Sequence, residues 1–202
     1  MKKLFVFMIS LLSVMNVLAA DDATKILDKA ASAFKAAGGV AISYTYDLNG
    51  DTGKGTIKMN GKKFVNTFGD HVIWFNGKTL WTLVKENEEV NVTTPTPKEL
   101  AGINPYAFLN MYKQGYKASM GKSTATYYEV ILKATSPSTS MKSVVVHILK
   151  KNYEPCYVKL STVDGIENKI TVTKYITNQN FSVDTFAFNP KKYPNVDIVD
   201  LR

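Results

Sequence analysis

Hydrophobic and polar positions change rhythm twice along this 202-residue chain. The chain opens on basic Met1-Lys2-Lys3, and Leu4 to Leu18 is then almost wholly apolar, broken only by Ser10, Ser13 and Asn16. Val17-Leu18-Ala19 precedes acidic Asp21-Asp22, the layout of a secretory signal peptide over residues 1–20. The apolar run, about 15 residues, falls short of the roughly 20 that a spanning helix needs. No Cys lies near the predicted cut, so a soluble body without a lipid anchor is expected.

The first change of rhythm is to helical spacing. Ile26, Ala30, Phe34 and Ala37 recur on one face of a predicted helix over 23–37, with Leu27 and Ala31 widening the stripe. Asp21 or Asp22 caps its start in this reading, and Gly38-Gly39 ends it.

The second change, at Val40, is to a period of two. Val40, Ile42, Tyr44, Tyr46 and Leu48 point one way, and Ala41, Ser43, Thr45 and Asp47 the other. Asn49 to Gly53 reads as a turn, with Gly55, Ile57 and Met59 on the return strand, and Asn60-Gly61 is a hairpin signal. Short strands follow at 64–68, 71–75, 79–84 and 89–93. The alternation breaks from Pro95 to Tyr112, where Thr96-Pro97-Lys98-Glu99-Leu100 carries a helix-start signature and 105–112 reads as a second short helix. Strands resume at 116–120, 126–134, 142–150, 156–162 and 169–176, and the tail from Phe181 to Leu201 reads as irregular. The expected fold is mainly β: a single strongly curved antiparallel sheet or half-barrel of roughly ten or eleven strands, with an N-terminal helix and a mid-chain helical insertion packed on its concave side. One domain over 21–202 accounts for the whole mature chain.

Composition narrows the chemistry. The formal net charge is +8, yet every basic residue except Arg202 is a lysine, and the lysines are spread evenly. Nucleic-acid readers rely on the planar arginine fork, so no nucleic-acid partner is expected. Cys156 is the only cysteine, which excludes an intramolecular disulfide and suits a small buried strand residue. His71 and His147 are lone strand histidines, with no H-x-H, H-E-x-x-H or paired Cys beside them, so no metal and no cofactor are expected. No G-x-S-x-G elbow or phosphate loop is present. Asp51-Thr52-Gly53 matches the aspartic-protease triplet, but that chemistry needs two carboxylates sharing a proton, and no second D-[ST]-G occurs. No catalytic residue is assigned and no enzyme is expected.

What remains is apolar and aromatic. A curved sheet with few helices, one of them alanine-rich on its inward side, leaves an apolar cavity suited to an acyl chain. Alternation assigns Ile42, Tyr44, Tyr46, Ile57, Met59, Phe64 and Phe68 to that cavity; Ile26, Ala30 and Phe34 of the first helix and Phe108 and Met111 of the insertion are the candidates to lid it. A one-residue slip in register would invert the sheet assignment.

Three segments carry a resemblance. Asn76-Gly77-Lys78-Thr79-Leu80-Trp81, with the polar strand ending near Val92, resembles the D-G-x-x-L-W hairpin of the periplasmic outer-membrane lipoprotein carriers, the LolA family. Asn104-Pro105-Tyr106-Ala107-Phe108-Leu109 is similar in position to that family's mid-chain helix, and Phe186-Ala187-Phe188-Asn189-Pro190 with Val196 to its closing segment. The resemblance implies a helix-lidded open barrel around a hydrophobic cavity. It implies a monomeric periplasmic carrier that takes acylated lipoproteins, or other lipids, from an inner-membrane ATP-driven transporter to an outer-membrane acceptor. The family commonly carries a lid-binding arginine near the third strand; Lys62-Lys63 stands there instead, and a lysine does not copy a bidentate guanidinium contact. Either a looser lid or a different cargo follows. Two other readings were weighed: an envelope interaction or assembly module acting through its surface, and a hydrolase, which would need a buried carboxylate pair in a cleft.

Overall fold

The computed structural model describes residues 22–96, 99–100, 104 and 106–202. The predicted signal segment, Asp21, and Pro97, Lys98 and Pro105 of the helical insertion lie outside them. Residues 22–36 form one helix, α1, which buries Ala23, Ile26, Leu27 and Ala30 on the stripe read from the sequence.

Twelve strands follow: β1 (Gly39–Leu48), β2 (Asp51–Asn60), β3 (Lys63–Phe68), β4 (His71–Phe75), β5 (Leu80–Val84), β6 (Glu89–Thr93), β7 (Tyr116–Met120), β8 (Tyr127–Ala134), β9 (Met141–Leu149), β10 (Pro155–Thr162), β11 (Glu167–Ile176) and β12 (Asp197–Asp200). They hydrogen-bond in the order β12-β6-β5-β4-β3-β2-β1-β11-β10-β9-β8-β7. The two ends of that order, β12 and β7, do not pair, so the sheet is not closed.

The structure corrects the sequence reading at four places. The tail is not irregular throughout: Asp197–Asp200 pairs in parallel with β6, which brings the strand count to twelve and breaks the antiparallel rule at one edge. Four residues with an aspartate at each end carry no hydrophobic alternation, and the pairing is made across a long stretch of chain. Asp51-Thr52-Gly53 is strand rather than turn, because Leu48 already pairs with Asp51. Asn49 and Gly50 alone make the hairpin, at φ 55° and 95°, the two positive values that a tight I′ turn demands. The strand read as starting at Cys156 starts at Pro155, and Cys156 itself is half-buried, not buried. Its thiol reaches the His147 carbonyl at 3.5 Å, and burial pushes its pKa up. The second short helix is a 3-10 segment, Ala107–Lys113. Leu48 keeps the parity read for β1 and is half-buried at the strand's end.

The insertion's start behaves as read. The Thr96 amide and hydroxyl both donate to Glu99 Oε2 at 2.8 Å, and the Glu99 amide donates back to Thr96 Oγ1 at 3.3 Å. This reciprocal capping box holds the Glu99 carboxyl below its usual range.

The chain divides into two compact units. The first comprises residues up to Ala33 and Phe108–Lys169; the second comprises Phe34–Ala107 and Ile170–Arg202. In the first unit, Val130, Leu132, Val144, Val146 and Ile148 are fully buried on one face of β8 and β9. Asp28 of α1 accepts from Tyr112 Oη at 2.6 Å and from Lys113 Nζ at 3.5 Å, which ties the helix to the 3-10 segment. In the second unit, β4 to β6 bury Val72, Trp74, Leu83 and Val90 on one face, with half-buried Val65 of β3 packed against them. Phe188, Tyr193 and Val196 of the tail pack onto that cluster.

Candidate functional site

The site is built from rows of side chains that run across β1 to β4. Directly opposed residues of antiparallel strands share a face, so the register fixes each row. The first row is Val40, Met59, Phe64 and Phe75. Its members are 0%, 1%, 0% and 3% exposed. The second row is Ile42, Ile57, Asn66 and Ile73, in which the two isoleucines of β1 and β2 are buried and the residues of β3 and β4 are half-buried. The third row is Tyr44, Gly55, Phe68 and His71; Tyr44 is buried, Phe68 half-buried and His71 exposed. Tyr46 lies opposite Gly53, one step further out. One apolar face therefore grades from closed to open over a few residue pairs.

Two glycines shape the open end. A Cβ at Gly55 would stand 2.3 Å from Tyr44 Cζ, and one at Gly53 would meet the Tyr46 hydroxyl. The two tyrosine rings therefore lie across the β2 backbone instead of standing off the sheet, which only a residue without a side chain permits. Lying across β2, Tyr44 reaches β3 and donates to Asn66 Oδ1 at 2.7 Å. Burial pushes the Tyr44 phenol up to about 12, against the Asn66 hydrogen bond, which lowers it, while neighbouring Tyr46 adds to the rise. Tyr46 meets Phe68 edge-on at 6.1 Å, and Phe68 stacks on His71 at 5.2 Å. The mouth of this face is an aromatic rim with one polar pair set into it.

The seven residues assigned to the sheet face from alternation all lie on these rows, and the structure brings them together. Of the lid residues, Ile26, Ala30 and Phe108 are buried and Met111 is half-buried, all in the first unit. Phe34 belongs to the second unit, where it stacks on Tyr106 at 4.2 Å while Tyr106 and Tyr175 join their hydroxyls at 3.0 Å. Sequence reasoning missed Asn66 and His71. Asn66 lies between Phe64 and Phe68 at the same parity, and that lone polar position was the available signal. Lys62 is exposed in the β2–β3 turn, and Lys63 shares the parity of Val65, on the opposite face of β3 from Phe64. Neither lysine belongs to the graded face.

Among the described residues, Thr79 is the one buried polar or charged side chain, so no buried carboxylate pair occurs there. No group of three His, Cys, Asp or Glu stands close enough to hold a metal ion among them. His147 meets Glu129 at 3.0 Å, stacks on Tyr127 at 4.1 Å and meets Tyr157 at a tilt at 4.7 Å. Glu129 also accepts from the Lys122 amide, so this cluster pins the start of β8 to the preceding loop.

An unclosed sheet with one graded apolar face puts the chain in the class of mainly β, open-barrel folds. The family model of the outer membrane lipoprotein carrier protein LolA matches residues 12–164, and the chain belongs to that family. Among solved structures, an uncharacterized conserved protein from Thermus thermophilus superposes with a TM-score of 0.63 at 10% identity, covering 89% of this chain and 99% of that one. A DUF1329 family protein from Desulfovibrio piger gives a TM-score of 0.50 at 9% identity, covering 84% and 97%. At such identities the likeness is one of fold. No curated protein matches the chain.

Proposed function

We propose that this chain is a non-catalytic periplasmic carrier, exported by a cleaved signal peptide over 1–20. It shields the acyl chains of a lipoprotein, or of a similar lipidated ligand, against the face formed by Ile42, Tyr44, Tyr46, Ile57, Met59, Phe64 and Phe68. Of the lid residues, Phe34 belongs to the same unit as that face and would close over the ligand there. The observation that carries the reading is the exposure gradient from the Phe64 row to the Phe68–His71 row. A core needs no open end; an acyl chain entering past an aromatic rim does.

Each CH₂ removed from water contributes about 0.8 kcal/mol, so one long acyl chain supplies the binding energy without any catalytic or metal group. An ATP-driven inner-membrane complex would load this carrier, and an outer-membrane acceptor would unload it. The test is titration of the purified protein with a fluorescent fatty-acyl probe, paired with mass spectrometry of what co-purifies from the native envelope. Saturable probe binding and a co-purifying acylated species are expected. No probe binding, together with stable capture of one unacylated protein, would replace this reading with a surface-acting interaction module.

A further inference from the structure

The opposite face of β2 to β4 carries a concavity of about 360 Å³, which the acyl-carrier reading does not use. Its floor is two cross-strand rows, Thr56–Thr67–Val72 and Lys58–Val65–Trp74. Its wall is the tail, from Asp184 to Tyr193. Trp74 meets Phe188 and Tyr193 edge-on at 5.6 and 5.8 Å, and those two rings stack on each other at 5.4 Å. That aromatic clamp fixes the tail in place, so the concavity is built by tertiary packing rather than by loose loops.

Its charge is lopsided. Lys58, Lys85 and Lys192 line it against the single carboxylate of Asp184. Each of the three lysines is exposed, and none has an ion-pair partner among the described residues. Thr56, Thr67 and Thr185 add hydroxyl donors around the same space. The volume falls in the range, roughly 300–1,000 Å³, of small-ligand pockets. A lone carboxylate ligand would leave most of these donors idle. A phosphate offers several acceptor oxygens to three ammonium groups, each a compact point charge. The remaining wall, Trp74 and Tyr193, suits the carbon body of the same molecule.

We propose that this cleft binds an organic phosphate ester, with the phosphate held by Lys58, Lys85 and Lys192 and its carbon body against Trp74 and Tyr193. The ester comes either from a small soluble metabolite or from a phospholipid headgroup. The two sources share one recognition chemistry and separate experimentally.

The test follows the Trp74 indole resonance of the full-length expressed protein at constant ionic strength. Three titrants are used: glycerol 3-phosphate, inorganic phosphate, and vesicles of phosphatidylglycerol. A saturable shift is expected, with affinity reduced about tenfold, or 1.4 kcal/mol, in Lys58→Gln/Lys192→Gln. Lys35→Gln/Lys174→Gln removes the same charge at two exposed lysines of the same unit that do not line the cleft, and is expected to leave the affinity unchanged. Saturation by glycerol 3-phosphate identifies a soluble ester; a response to vesicles alone, with the same dependence on Lys58 and Lys192, identifies a headgroup. No saturable shift with any of the three, or equal weakening in both double variants, overturns the proposal. The acyl-probe titration reads the other face of the sheet, so either proposal can fail while the other stands.

Discussion

The Val40–Met59–Phe64–Phe75 row and the Tyr44–Gly55–Phe68–His71 row lie on the same face of the same four strands, yet they are built in opposite ways. The first contains no glycine and no polar atom outside the backbone, and every member is buried. The second spends one position on glycine, lays a tyrosine across the gap and ends on an exposed imidazole. The first row is buried throughout, whereas burial falls off along the second toward Phe68 and His71. The same strand alternation gives a closed layer in one row and, with a glycine at one position, an open-ended layer in the other.

The largest effect should come from breaking the closed row. Phe64 is fully buried, so Phe64→Ala removes a whole ring from a packed layer, and a loss of about 3–5 kcal/mol is expected in urea unfolding. Acyl-probe affinity, corrected for the unfolded fraction, should change far less than stability does. A small stability loss with abolished probe binding would mean that the rows have been assigned to the wrong roles.

Gly55→Val should come second. The new Cβ would collide with the Tyr44 ring at 2.3 Å, and overpacking of this kind costs about 2 kcal/mol. The informative measurement is the double variant. With Tyr44→Ala already in place the collision is gone, so the valine should then cost little, a coupling that a double-mutant cycle reads directly. Additive effects would show that the tyrosine does not lie across the glycine.

How much of this was legible follows from what alternation encodes. Period two fixes which residues share a face, and Ile42, Tyr44, Tyr46, Ile57, Met59, Phe64 and Phe68 were found on one face because of it. It does not encode the cross-strand partner. The pairing of Tyr44 with Gly55, and of both with Phe68, depends on the two-residue turn at Asn49-Gly50, read from the sequence as a longer turn. Shifting that turn moves every row, which is why the face was readable and the gradient was not. The second face was hidden for a different reason. Val65, Thr67, Val72 and Trp74 mix polar and apolar residues, and only the tail that covers them, itself read as irregular, makes them a lined space. Asp197–Asp200 was unreadable because its partner β6 lies about a hundred residues away, and no local pattern marks a parallel edge.

Tyr44→Phe tests the polar pair in the open row at a smaller scale. Losing the hydrogen bond to Asn66 should cost about 1 kcal/mol at neutral pH. Its pH dependence has a definite sign. The folded phenol stands at about 12 against 10 for an exposed tyrosine, so its neutral form is favoured by folding. That contribution is fully present below pH 10 and is lost as pH rises from about 10 through about 12. The unfolding midpoint of the natural protein should therefore fall more steeply across that window than the midpoint of Tyr44→Phe. Parallel declines would place the titrating phenol elsewhere, and Tyr112 and Tyr116, whose pKa values are also raised, mainly by burial, would be examined next.

The smallest stability effect should fall on His71, and it is the sharpest probe of the comparison. The ring is exposed and stacks only on Phe68 at 5.2 Å, so His71→Ala should change stability by less than about 0.5 kcal/mol. A residue that only finishes a strand would leave probe binding untouched as well. If the third row is an entrance, removing its outermost ring should instead speed both association and dissociation of the acyl probe, with the equilibrium constant moving less than either rate. Stopped-flow mixing measures the two rates separately. Unchanged rates in His71→Ala, with slowed entry in a Phe68→Trp variant, would move the mouth one strand inward; unchanged rates in both would remove it from this edge of the sheet.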